Sequence, residues 1–100
     1  MLIAHVTFPV SDADRPAALG ALEAEAATVR SMPGCLAFVP FTDATDPRQL
    51  GVLHEWRSAE DFANYTRSET FKRFGAAVRP LMTAPAVSQR FEARLIEKTD

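Results

Sequence analysis

The sequence predicts an α+β fold in which one antiparallel sheet carries a layer of helices. Three observations point there. Residues 2–10, 35–42, 48–57 and 86–97 alternate with the period of a strand. Between them lie stretches whose apolar residues recur at helical spacing, bounded by capping and stop signals. The second and third strands are separated only by Asp43-Ala44-Thr45-Asp46-Pro47, a turn short enough for an antiparallel hairpin. The order is β-α-β-β-α-α-β. Two βαβ halves sharing a four-stranded antiparallel sheet make a ferredoxin-like arrangement, and residues 1–100 form a single domain.

In the first strand Ala4, Val6, Phe8 and Val10 share one face, and Ile3, His5 and Thr7 the other. Pro9 places the end of this strand at a sheet edge. Ser11 or Asp12 caps a helix that holds Pro16 in its first turn and runs to about Ser31. Its apolar stripe, Leu19, Leu22, Ala26 and Val29, is thin, so the helix can approach a sheet closely. Met32-Pro33-Gly34 stops it. In the second strand Cys35, Ala37, Val39 and Phe41 alternate against Leu36, Phe38 and Pro40, and Pro40 requires an edge or a bulge. In the third, Val52, His54 and Trp56 oppose Leu53, Glu55 and Arg57. Ser58, with Asp61 three residues on, opens a short helix to about Arg67. Ser68 starts another, with Phe71, Phe74, Gly75, Val78, Leu81 and Met82 on one face, and Pro80 bends or ends it near Arg79. In the last strand Val87, Gln89, Phe91, Ala93 and Leu95 face one way and Ser88, Arg90, Glu92 and Arg94 the other.

Composition removes several classes of function. Eleven basic and 13 acidic residues are mixed along the chain, for a net charge of −2. No basic patch points to nucleic acid. The single cysteine excludes an internal disulfide and fits a reducing, cytoplasmic setting. No apolar run is long enough to span a membrane, and no positively charged segment precedes residues 2–6 as in a signal peptide. There is no Gly-rich phosphate loop, nucleotide fingerprint or metal-ligand spacing, so the expectation is no cofactor and no metal. Cys35 has no partner for nucleophilic chemistry and is expected to be buried and inert.

The stretch from Leu50 to Phe74 gathers what remains. One strand face carries Val52, His54 and the only Trp, Trp56; the helix after it returns Phe62 and the only Tyr, Tyr65. Trp56 either stacks on a planar aromatic ligand or fills the core. His54 either acts as a base, its ordinary pKa lying near working pH, or bonds a backbone carbonyl or Tyr65. Tyr65 either hydrogen-bonds a substrate oxygen or packs its ring with the hydroxyl wet. Val52, Trp56, Phe62 and Phe74 are the expected binding wall; His54 and Tyr65 are the catalytic candidates. Arg48, Arg57, Arg90 and Arg94 read as solvated or interfacial ion pairs.

Three pieces of the chain, taken together, resemble the antibiotic biosynthesis monooxygenase family of dimeric α/β-barrel proteins. They are Met32-Pro33-Gly34-Cys35-Leu36, Glu55-Trp56-Arg57-Ser58-Ala59-Glu60, and the run from Tyr65 to Phe71. The resemblance implies a homodimer whose sheets pack face to face, with a pocket in each subunit between sheet and helices. It also implies a range of activities, from cofactor-free oxygenases of quinols and polycyclic phenols to haem-degrading relatives. The chain departs from the family pattern at several positions. Tyr65 stands where histidine is usual, Val52 where one enzyme type has asparagine, Phe62 where tyrosine is expected, and His54 where an acid is common.

The residues and the resemblance lead to one expectation and two rivals. The expectation is a cofactor-independent monooxygenase of a small phenol or quinol, with His54 as base, Trp56 as stacking wall and Tyr65 as orienting donor. One rival is a non-catalytic ligand-binding or dimerisation module of the same fold. Haem degradation stands third, because no histidine falls on the helix that would supply an axial ligand.

Overall fold

The computed structural model describes residues 1–100 and follows the expected order. Strand β1 (Leu2–Pro9) leads through helix α1 (Arg15–Val29) to the hairpin of β2 (Cys35–Asp43) and β3 (Asp46–Trp56). Helices α2 (Ala59–Thr66) and α3 (Glu69–Val78), a 3-10 turn (Arg79–Leu81) and strand β4 (Val87–Glu92) complete it. The sheet order is β2-β3-β1-β4 with every neighbouring pair antiparallel, the ferredoxin-like arrangement.

Register explains which side chains face the helices. β1 and β3 pair Ala4 with His54, Val6 with Val52 and Phe8 with Leu50. Side chains directly opposite share a face, so these residues form one inner surface. Trp56 and Phe38 join it, and α1 covers it with Ala18, Leu22, Ala26 and Val29. The alternation in β1 and β3 therefore divides as the sequence indicates. β2 does not. A bulge between Cys35 and Ala37 shifts the register, so Cys35, paired with Trp56, lies on the same face as Phe38 and Pro40. Leu36 is turned out to solvent, away from the face it was expected to share with Phe38. Pro40 sits on an edge strand, as its missing N–H demands.

Helix ends follow local chemistry. Residues 11–14 form a turn in which Ser11 Oγ accepts the Asp14 N–H at 3.1 Å, so α1 begins later than Ser11 or Asp12. The Ser58 hydroxyl caps α2, accepting the Asp61 N–H and donating to the Asp61 carboxylate, both at 3.1 Å. Ser68 caps α3 through the Phe71 N–H. Gly34, at φ 80°, takes the left-handed turn out of α1. A Cβ there would collide with the Asp61 carboxylate, so this glycine also lets α2 seat against the turn.

Pro9 ends β1 beyond the reach of β4, although β1 itself is a central strand. The Pro9 carbonyl is bonded by Thr83 N–H as the chain returns from α3. β4 is shorter than the expected 86–97. Its pairing with β1 reaches Met1, whose ammonium and carbonyl both bond Ala93, and stops there.

Candidate functional site

An apolar cavity of about 170 Å³ lies between the inner face of the sheet and helices α2 and α3. Val6, Val52 and His54 line its floor; Phe62 and Tyr65 of α2 and Phe71, Phe74 and Val78 of α3 line its roof. The inward side chains of β4 at this point are Ser88 and Arg90, opposite Val6 and Ala4. Arg79, at the start of the 3-10 turn, also reaches the cavity. No carboxylate lines it.

Two buried side-chain hydrogen bonds form the back of the cavity. Trp56 is fully buried, and its Nε1–H donates to His54 Nδ1 at 2.8 Å. A neutral imidazole whose Nδ1 accepts carries its proton on Nε2. His54 is 4% exposed, it lines the cavity, and no buried side-chain nitrogen lacks a partner. Nε2 is bonded to nothing in the chain, so it is the ring atom that opens to the cavity. Burial first, and Arg90 second, push the His54 pKa down to about 4. At neutral pH the ring is an uncharged donor. Its one lone pair is already engaged by Trp56.

Tyr65 is engaged too. Its hydroxyl donates to Glu25 Oε2 at 2.6 Å, and its ring stacks on Trp56 with centroids 5.2 Å apart. Burial and the Glu25 carboxylate hold the Tyr65 hydroxyl far above the usual phenol range. Glu25 is itself 5% exposed, and burial raises its pKa against the opposing pull of Tyr65 and Arg73. Cys35 is partly buried, with its thiol pushed up by burial.

Of the residues singled out in the sequence, His54, Tyr65, Val52, Phe62 and Phe74 meet at this cavity. Trp56 does not line it. The indole stands behind His54, orienting the imidazole and packing against Tyr65 and Phe62, so it offers no face to a ligand. Neither reading of Tyr65 anticipated Glu25. A signal existed: Glu25 falls within the buried α1 series Ala18, Leu22, Ala26 and Val29, where a carboxylate must find a partner. Arg90 is exposed and forms no ion pair within the chain. Its Cζ lies 4.9 Å from the Phe62 ring centroid, a cation–π contact at the cavity wall.

No group of three or more His, Cys, Asp or Glu residues is placed to hold a metal ion. No helix is long and apolar enough to cross a membrane.

Among curated proteins none matches the sequence. Solved structures do match its fold. A Deinococcus radiodurans protein provisionally named an antibiotic biosynthesis monooxygenase shares 19% identity, covers 100% of this chain and 99% of its own, and superposes with a TM-score of 0.92. A Caulobacter crescentus protein given the same provisional name shares 24% identity over 94% of this chain and 90% of its own, with a TM-score of 0.89. A Mycobacterium tuberculosis protein shares 21% identity over 98% of both chains, with a TM-score of 0.88. At such identities the likeness establishes the fold. Sequence goes further: residues 1–77, from β1 to near the end of α3, match the family described as antibiotic biosynthesis monooxygenase, and the chain belongs to that family.

Proposed function

We propose that the chain is one subunit of a homodimeric, cofactor-independent monooxygenase acting on a small phenol or quinol. The observation that carries this is the cavity: about 170 Å³, lined mostly by apolar residues, with the buried His54 at its wall. An apolar protein cavity of about 150 Å³ accommodates benzene. One aromatic ring is therefore the size that fits, and a polycycle would protrude through the mouth.

In the proposed reaction the substrate supplies all the electrons. A phenol with a free ring position and one O₂ give a quinone and one water: one oxygen atom becomes the new carbonyl, and the other leaves as water with the two hydrogens lost from carbon and oxygen. The protein's part is to bind the ring, favour its electron-rich ionised form and exclude water. His54 serves as a donor to the substrate oxygen. The base role expected for it is at odds with an Nδ1 already bonded to Trp56 and a pKa near 4. Trp56 and Tyr65 hold the imidazole in place from behind.

The outer face of the sheet supports the homodimer. Val39 is 47% and Phe91 50% exposed there, beside Leu53 and Val87, with no helix of this chain over them. An obligate pair would bury roughly 2,000 Å² or more in total. Light scattering should give about twice the 11.0 kDa chain mass; a monomer at micromolar concentration would remove the dimer from the proposal. The lone, partly buried Cys35 suits a reducing, cytoplasmic setting.

Oxygen uptake by purified, metal-free protein given single-ring hydroquinones tests the activity directly. Uptake above the uncatalysed rate, with a ring-hydroxylated quinone formed in step and no hydrogen peroxide released, is the expected result. One observation favours a second reading, a ligand-binding module: every side chain that could take a proton at the back of the cavity is already bonded. Ligand binding without oxygen consumption would establish that reading instead.

A further inference from the structure

The side chains of Arg79 and Arg90 make no ion pair or hydrogen bond within the chain, yet both line the cavity. The ion pairs of the chain are Arg48 with Asp46 and Lys72 with Glu69, and neither involves them. The arginines that donate side-chain hydrogen bonds are Arg15, Arg30 and Arg67. Arg90 is held over Phe62 by its cation–π contact. Arg79 folds back along α3 through the space that Gly75 leaves: a Cβ on Gly75 would stand 3.3 Å from Arg79 Cζ and 3.5 Å from each terminal guanidinium nitrogen. Two uncommitted cations thus border an apolar cavity with no acid among its walls.

We propose that this cavity takes its aromatic ligand as the phenolate, with Arg79 and Arg90 supplying the field that ionises it and His54 Nε2–H donating to its oxygen. The inference rests on the phenol-binding half of the proposed function and not on turnover. It answers a question that half leaves open, namely where the phenolic proton goes when no free base is present. The O–H bond breaks, the electron pair stays on oxygen, and the proton leaves to bulk water through the open mouth. No oxidant or reductant takes part. A phenol ionises near pH 10 in water, and an opposite charge within about 4–6 Å lowers such a value by about 1–3 units. The charged and titratable groups facing the ligand are His54 on β3, Tyr65 on α2, Arg79 beyond α3 and Arg90 on β4. His54 is uncharged at neutral pH, and Tyr65 stays a phenol. The acid behind Tyr65, Glu25, is bonded to it and faced by Arg73. The net field at the ligand is positive.

4-Nitrophenol tests this, because its two protonation states absorb at different wavelengths. Absorbance titration with saturating protein should give a bound pKa lower than the free value by about one unit or more. Arg79→Gln and Arg90→Gln should each move it back towards the free value with no more than a small shift in melting temperature. At pH 8, 4-nitrotoluene, which has the same ring and no acid, should bind at least about tenfold more weakly. A bound pKa at or above the free value, equal binding of the two compounds, or no binding at millimolar concentration would overturn the inference. Each of these results is independent of oxygen uptake by hydroquinones, which judges the activity separately.

Discussion

The back and the mouth of the cavity are built on opposite terms. At the back, each polar group that faces the core is committed: Trp56 to His54, and Tyr65 to Glu25. The mouth carries Arg79 and Arg90, both exposed and without an ion pair. Buried polar groups are costly unless satisfied, whereas exposed charges cost the fold little. The back should therefore govern stability and the mouth should govern the ligand. That separation can be broken or sharpened by substitution on either side.

Trp56→Ala should have the largest effect. It empties the space of a fully buried indole and leaves His54 Nδ1 without its donor. A loss of about 3–5 kcal/mol in urea unfolding is expected. A loss below about 1 kcal/mol would mean that the back is not the keystone described.

The second effect comes from pH. The His54 pKa is about 4 folded and near 6.5 unfolded. Between those values the unfolded chain binds a proton that the folded chain does not, so stability falls as pH falls. The window from about pH 6.5 to 4 should cost about 3 kcal/mol through this group. Glu25 acts in the opposite sense, because its folded pKa is raised above 4.5: its contribution is present at low pH and lost as pH rises through the folded value. It partly offsets His54, and Glu25→Gln should steepen the acid loss. Urea midpoints across pH 4 to 8 for the wild type, Glu25→Gln and His54→Gln check both signs. His54→Gln should flatten the slope whatever it does to stability at pH 8.

Tyr65→Phe comes next. It removes one hydroxyl and leaves the Glu25 carboxylate buried without its donor, for a loss of about 1–3 kcal/mol at neutral pH. Adding Glu25→Gln should recover part of that loss, because the stranded group is then neutral. A double variant as unstable as Tyr65→Phe alone would show that the carboxylate charge is not what makes Tyr65 necessary.

The same contrast explains what the sequence revealed. Alternation in β1 and β3, the serine caps before α2 and α3, and Pro80 at the end of α3 are local signals, and each lies where it was read. The inward run Val52, His54 and Trp56 was visible for the same reason. What escaped was set by side-chain partners and a local irregularity that alternation does not encode. Whether His54 is a base or a donor depends on Trp56 two residues away turning its N–H onto Nδ1. Whether Tyr65 is free depends on Glu25, 40 residues earlier. The bulge after Cys35 inverts the pattern of β2 at one residue. In β4 the alternation lies where it was read, but which face turns inward did not follow from it: Val87 and Phe91 face outward, and Ser88 and Arg90, though exposed, line the cavity.

The smallest expected effect crosses from mouth to back. Arg90→Gln removes an exposed guanidinium whose contact with Phe62 is worth about 0.5–1 kcal/mol, so stability at pH 8 should change by no more than about that. Arg90 is also the second cause, after burial, of the depressed His54 pKa. Losing it should raise that pKa while leaving it below 6.5, since the imidazole remains buried. The acid loss of stability should then begin at the same pH and end sooner, because the upper edge of the window belongs to the unfolded chain and the lower edge to the folded one. The chain has two histidines, and His5 lies on the opposite face of the sheet. A proton NMR titration therefore needs to separate only two imidazole signals. A His54 pKa that stays fixed in Arg90→Gln would mean that the guanidinium spends its time in solvent and that mouth and back are electrostatically independent. A raised value would show that Arg90 projects its charge inward, to the depth at which a bound phenolate would feel it.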